Sequence, residues 1–167
     1  YRSDHTNLID LDGKTMTPGL IEGHGHFTGL GESKLNLDLS SVESYDELIS
    51  VVENAIKNAQ KGEWIIGRGW HQDKWTLKPK KIVRGFQTHD RLSEISKNNP
   101  VWLRHASGHA SFGNQKAMEI AGITKETKFG FGGEIIKDLS GNPTGIFNER
   151  AQYLISQYFN KSNDSTK

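Results

Sequence analysis

Between residues 44 and 60 the side chains Leu48, Val51, Val52, Ala55, Ile56 and Ala59 recur at the spacing of one helical face. Ser44 stands ahead of them with Glu47 three positions on, so the pattern predicts a helix capped at Ser44 and stopped by Gly62. Shorter helices are expected from Thr88 to about Ser96, from Asn114 to Ala121 with Gly122 as the stop, and from about Glu149 to Phe159. Two short strands are predicted over residues 7–22, broken by the turn pairs Asp12-Gly13 and Pro18-Gly19. Leu35, Leu37 and Leu39 alternate with polar residues as in a half-buried strand. Trp64-Ile65-Ile66 and Val101-Trp102-Leu103 are strand candidates, and residues 133–136 and 145–147 flank a Ser140–Pro143 turn as a hairpin. Residues 76–87 are basic and irregular and read as an exposed loop, and the polar tail 161–167 is expected to fray.

Composition narrows the function classes. The chain has 167 residues, 21 basic and 20 acidic, for a net charge of +1. That balance gives no broad electrostatic footprint for nucleic acid or an anionic membrane. No apolar run reaches the roughly 18–20 residues needed to span a bilayer. Zero cysteines exclude a disulfide framework and thiolate chemistry. The chain opens at Tyr1 rather than Met, so residues are expected to have been removed ahead of it, a targeting signal among them or not; a cytoplasmic location is the favoured expectation.

Chemistry concentrates in four places. His24-Gly25-His26 follows an apolar strand, and side chains two apart on a strand share a face, so both imidazoles can reach one metal ion; two surface histidines in a glycine-rich loop is the plain alternative. Gly67-Arg68-Gly69-Trp70-His71 through Trp75 can wall a ligand pocket, or the tryptophans can be core anchors. His105 and His109 read first as ordinary hydrogen-bonding histidines. Glu149 reads as a carboxylate favoured at a helix start.

The run Ile9–Lys14 followed by Pro18-Gly19-Leu20-Ile21-Glu22-Gly23-His24-Gly25-His26-Phe27 resembles the opening of the amidohydrolase superfamily, in particular its YtcJ-like branch, amidohydrolase family 3. Gly-Glu-Trp-Ile at 62–65, Gly-Arg-Gly-Trp at 67–70, Gly-His-Ala at 108–110, Ala-Gly-Ile at 121–123, Gly-Gly-Glu-Ile at 132–135 and Pro-Thr-Gly-Ile at 143–146 continue the likeness in order.

The resemblance implies an α/β fold, a fragment of a metal-dependent-hydrolase (β/α)8 (TIM) barrel with an α+β insertion after the first barrel strand. On that basis residues 1–18 are a piece of an N-terminal β-domain and 19–34 the first barrel strand with its metal-binding loop. Residues 35–147 are the insertion, 148–160 a helix returning to the barrel and 161–167 a disordered tail. His24 and His26 become metal ligands. Glu22, where relatives carry Asp, becomes a carboxylate that supports them. Trp70, His71 and His109 are the substrate-facing candidates.

The implied cofactor is a divalent metal, zinc first, and the implied reaction is hydrolysis of a non-peptide carbon–nitrogen bond in a small-molecule substrate by metal-activated water. At 167 residues the chain is too short to close a barrel, which needs 200 or more. The general base is therefore expected beyond residue 167, the isolated chain is expected to be inactive, and the remainder of the barrel or a further copy of the chain is the expected partner. The competing expectation is a non-catalytic binding or interaction module derived from the insertion.

Overall fold

A computed structural model describes residues 2–19, 21, 23, 30–31 and 34–160. They form a mixed α/β unit around one six-stranded sheet. In chain order the elements are β1 (Leu37–Asp38), α1 (Tyr45–Asn58), β2 (Ile65–Trp70), β3 (Ile82–Val83), β4 (Phe86–Gln87), α2 (Asp90–Ile95), β5 (Val101–His105), β6 (Ala110–Gly113), α3 (Gln115–Ile120), β7 (Gly133–Lys137), β8 (Pro143–Glu149) and α4 (Tyr153–Asn160). Single 310 turns lie at Gln72–Lys74 and Arg150–Gln152.

The sheet order is β1-β2-β5-β6-β8-β7, with β3 and β4 forming a separate small hairpin. β1, β2 and β5 run parallel, and β6, β8 and β7 continue antiparallel. Because β8 points the same way as β5, the carboxyl ends of β1, β2, β5 and β8 lie along one edge of the sheet. The β5–β6 turn meets the same edge, which we call the rim.

Each face of the sheet has its own core. Leu48, Val52 and Leu92 of α1 and α2 cover Val101, Leu103, Phe112, Ile136 and Ile146 on one side. Ala117, Met118 and Ile155 of α3 and α4 cover Trp102, Ile135 and Phe147 on the other. Arg104 is the exposed residue of β5, whose pattern is otherwise buried on both faces. That is the signature of a strand in the middle of a covered sheet rather than one with a wet face.

The caps follow the sequence closely. The Ser44 hydroxyl accepts from Glu47 N at 3.1 Å, and the Glu47 carboxylate takes Glu43 N–H at 2.8 Å, one residue ahead of the cap. α1 stops at Asn58 with an extended Ala59, so Gly62 shapes the turn beyond the helix rather than ending it. α2 begins at Asp90 with His89 in the cap position, and Thr88 instead donates to the Asp90 carboxylate. Asn114 caps α3 through Ala117 N, and Gly122 follows at φ +65°.

Three expectations change. Residues 7–19 hold a turn at Asp12-Gly13 and no strand, with Leu8, Ile9 and Met16 exposed, because no described segment offers them a pairing edge. Glu149 is the last residue of β8, at φ +51°, and caps the 310 turn Arg150–Gln152, so the α-helix expected from about Glu149 begins only at Tyr153. Residues 76–87 are indeed irregular, but they include β3 and β4, and Gln87 is fully buried.

Candidate functional site at the carboxyl ends of the parallel strands

A β-bulge fixes what β2 delivers to the rim. Its register against β5 slips between Arg68 and Trp70, so Arg68 pairs Arg104 while Trp70 pairs His105. Gly69 sits in the slip at φ +112°, and a Cβ there would lie 2.8 Å from Ser40 N. The extra residue turns Trp70 onto the face that Ile65 and Gly67 already bury. Trp70 is fully buried and its indole N–H donates to Leu103 O at 2.8 Å. Of the two readings open for it, core anchor holds: the ring offers no exposed face to a substrate, and it packs edge-on against His105 at 4.6 Å between centroids. Trp75 is likewise core, stacked on Tyr45.

Directly after Trp70, His71 leaves the strand half-buried and its ring lies 4.5 Å from that of His105. His105 ends β5 at 6% exposure. Its Nδ1 accepts the Ser107 backbone N–H at 3.1 Å and stands 2.8 Å from the Ser107 hydroxyl. Burial first, then the neighbouring His71, pulls its pKa down to about 4, so the ring is neutral at pH 7. Two atoms of this pair, His71 Nδ1 and His105 Nε2, are buried without a hydrogen-bond partner.

His109 lies across the β5–β6 turn and is largely exposed. Its Nδ1 meets the Glu149 carboxylate at 3.0 Å, and the two backbones are tied by Glu149 N–H to His109 O at 2.8 Å. The Gln152 amide donates to Gly108 O at 3.1 Å and bridges the same turn to the segment after β8. The rim thus gathers His71, His105 and His109 from two loops, with Glu149 orienting the outermost ring. Sequence reasoning singled out His105 and Glu149 but read them as an ordinary hydrogen-bonding histidine and a helix-start carboxylate, and it gave Ser107 no role. The Ser placed between two histidines at spacing two was the available signal.

His24, His26 and Glu22 lie outside the described residues. Among the described residues no group of three His, Asp or Glu side chains is placed to hold a metal ion. A cavity of about 500 Å³ sits away from the rim, lined by Thr88, His89, Gln115 and Thr144 among others; its Lys81 and Asp90 are paired with each other at 2.9 Å. No described helix is long and apolar enough to cross a membrane.

Comparison with known proteins places this geometry. The model of a family described as "Amidohydrolase family" matches residues 7–167. The putative amidohydrolase YtcJ of Bacillus subtilis is 36% identical over 155 residues, covering 93% of this chain and 28% of that protein. The Arabidopsis thaliana protein LONG AFTER FAR-RED 3 is 35% identical over 158 residues, covering 95% of this chain and 26% of its own length. N-substituted formamide deformylase of Arthrobacter pascens is 34% identical over 150 residues, 89% of this chain and 27% of the enzyme.

The chain therefore spans roughly a quarter of the length of the curated relatives it matches. Among solved structures, an uncharacterized metal-dependent hydrolase from Pyrococcus furiosus aligns with a TM-score of 0.55 at 26% identity, covering 86% of this chain and 25% of that one. A second from Pyrococcus horikoshii OT3 aligns with 0.54 at 25%, covering 83% and 23%. The family model spanning residues 7–167, together with relatives 34–36% identical along nearly all of the chain, makes this chain a member of the amidohydrolase family.

Proposed function

We propose that the chain is the amino-terminal part of a metal-dependent hydrolase acting on non-peptide carbon–nitrogen bonds of small molecules. Residues 19–34 then supply the first strand of a (β/α)8 barrel with its metal loop, and 35–147 form an insertion that shapes the substrate cleft. The observation that carries the reading is the rim: a row of imidazoles at the carboxyl ends of parallel strands, where α/β proteins bind ligands. The name of the formamide deformylase supports the amide substrate class, and the names of the Pyrococcus proteins support a divalent metal.

The donor set fits such a metal as far as it goes. His24 and His26 are two neutral-capable imidazoles one residue apart, suited to zinc, with the Glu22 carboxylate close in sequence to hold one of their free N–H groups. When bound, a divalent ion supplies Lewis acidity and an acidified water. The chain's own contribution at the rim is to present His71 and His109 to the substrate, with Glu149 holding the His109 ring.

The alternative, a self-sufficient binding module, is disfavoured by Leu8, Ile9, Met16 and Ile21. These carry 70–94% exposure, and the described residues around them pair with no strand, as expected of surface meant for further structure.

Zinc titration against a chromophoric chelator tests the ligand assignment. The chain should bind zinc no tighter than micromolar, as expected of an incomplete ligand set. His24→Ala and His26→Ala should each weaken binding at least tenfold. Nanomolar binding that survives the double substitution would overturn the assignment.

A further inference from the structure

We infer that His71 and His105 form a hydrogen-bonding subsite for a carboxamide group, His105 Nε2–H donating to its oxygen and His71 Nδ1 accepting from its nitrogen. The inference rests on the reading that the rim faces an amide-bearing substrate, and it assigns that recognition to a residue pair apart from the metal loop.

The tautomer of His105 carries the argument. A backbone N–H always donates, so the Ser107 N–H bonded to His105 Nδ1 at 3.1 Å requires a lone pair on that nitrogen. The ring proton is therefore on Nε2, and the Ser107 hydroxyl, 2.8 Å from Nδ1, donates to the same lone pair. His105 is more than nine-tenths buried, and its Nε2–H has no acceptor. A buried donor left without a partner is unfavourable and rare in native proteins. The second orphan, His71 Nδ1, belongs to the ring packed 4.5 Å away.

The tautomer excludes a metal ion at this pair. Ligation through Nε2 needs its lone pair, which would move the proton to Nδ1 against the Ser107 N–H. In this assignment His71 carries its proton on Nε2 and a lone pair on Nδ1, which a carboxylate, itself only an acceptor, would not complement. A primary carboxamide presents an acceptor oxygen and a donor nitrogen on one carbonyl carbon, with one N–H on the oxygen's side, which complements one donor and one acceptor on neighbouring rings. His71 is the half-buried member of the pair and His105 the buried one. The rigid wall behind is Trp70, fixed edge-on to His105 by its own bond to Leu103 O.

Side-chain NMR of the 15N-histidine-labelled chain at pH 7 tests this with acetamide, acetone and acetate as probes. The free chain should show His105 protonated at Nε2. Acetamide should shift the His105 and His71 nitrogens saturably, acetone should bind at least threefold more weakly and shift His105 alone, and acetate should shift neither. His105→Phe should weaken acetamide at least tenfold. Where that variant does not fold, His71→Phe should abolish the preference for acetamide over acetone.

An Nδ1–H tautomer at His105, silence of both rings, or a bridging water that saturating acetamide does not displace would overturn the inference. If a longer chain carrying the remaining barrel hydrolyses amides while these nitrogens stay silent, the subsite fails and the functional reading stands. If acetamide saturates the pair and no such chain hydrolyses an amide, the reading fails and the subsite stands.

Discussion

Asn114 is the residue whose loss the structure makes most costly. Its side chain is fully buried and serves three segments at once. Oδ1 accepts from Ala117 N at 2.9 Å, capping α3, and from Val101 N at 2.9 Å, at the start of β5. Nδ2 donates to Asn99 O at 2.8 Å and to the Ser96 hydroxyl at 2.7 Å, holding the turn after α2. Asn114→Ala removes a helix cap, a loss of about 1 kcal/mol. It also leaves the Val101 N–H buried without a partner, for about 1–3 kcal/mol more. The two broken donor bonds add about 1 kcal/mol together, since their acceptors keep other lone pairs.

The expected total is about 3–5 kcal/mol, and with a urea slope of about 2 kcal/mol per M the midpoint should fall by about 2 M. Asn114→Ser, which can still accept from Ala117 N, should recover about 1 kcal/mol of that. The assay is equilibrium urea unfolding followed by tryptophan fluorescence and by circular dichroism. A loss under about 1 kcal/mol for the alanine variant at unchanged slope would refute the reasoning, because the polar groups would then have found other partners at no cost.

Further outcomes follow from backbone and charge. Gly145→Ala should destabilise by more than about 3 kcal/mol, because φ is +90° and the new Cβ would lie 2.4 Å from Gly113 O, a backbone atom. Gly141→Ala, at φ +83° but in open space, should lose only about 1 kcal/mol, a separation that thermal melts resolve. Stability should fall as pH drops from about 6.5 toward 4: burial holds both His105 and His89 below the ordinary histidine value, so the unfolded chain takes up the protons first. His105→Gln should flatten that slope by up to one proton in urea midpoints measured across this range, and an unchanged slope would count against a buried neutral His105.

Local chemistry was legible where a short segment settles its own structure. The capping bonds of Ser44 and Asn114 each reach a backbone N–H three residues on, and Gly122 turns the chain directly after α3, so capping and stop signals in the sequence translate directly into local structure. The β7–β8 hairpin was readable for the same reason. Partners distant in sequence were not. Residues 7–19 carry strand-like alternation, yet a strand exists only where another strand offers its edge.

The site divides along the same line. The sequence by itself determined family membership, the capped helices, the absence of cysteine chemistry and the residue types gathered at the rim. Only the tertiary structure decided which histidines meet. The Gly69 bulge turned Trp70 into the core and brought His71 beside His105, 34 positions away in sequence, and the end of β8 gave His109 its carboxylate. The physical reason is reach. Caps and turns are fixed by interactions within a few residues, whereas a side chain's direction on a strand depends on register with its neighbour, and one extra residue in that register reverses it.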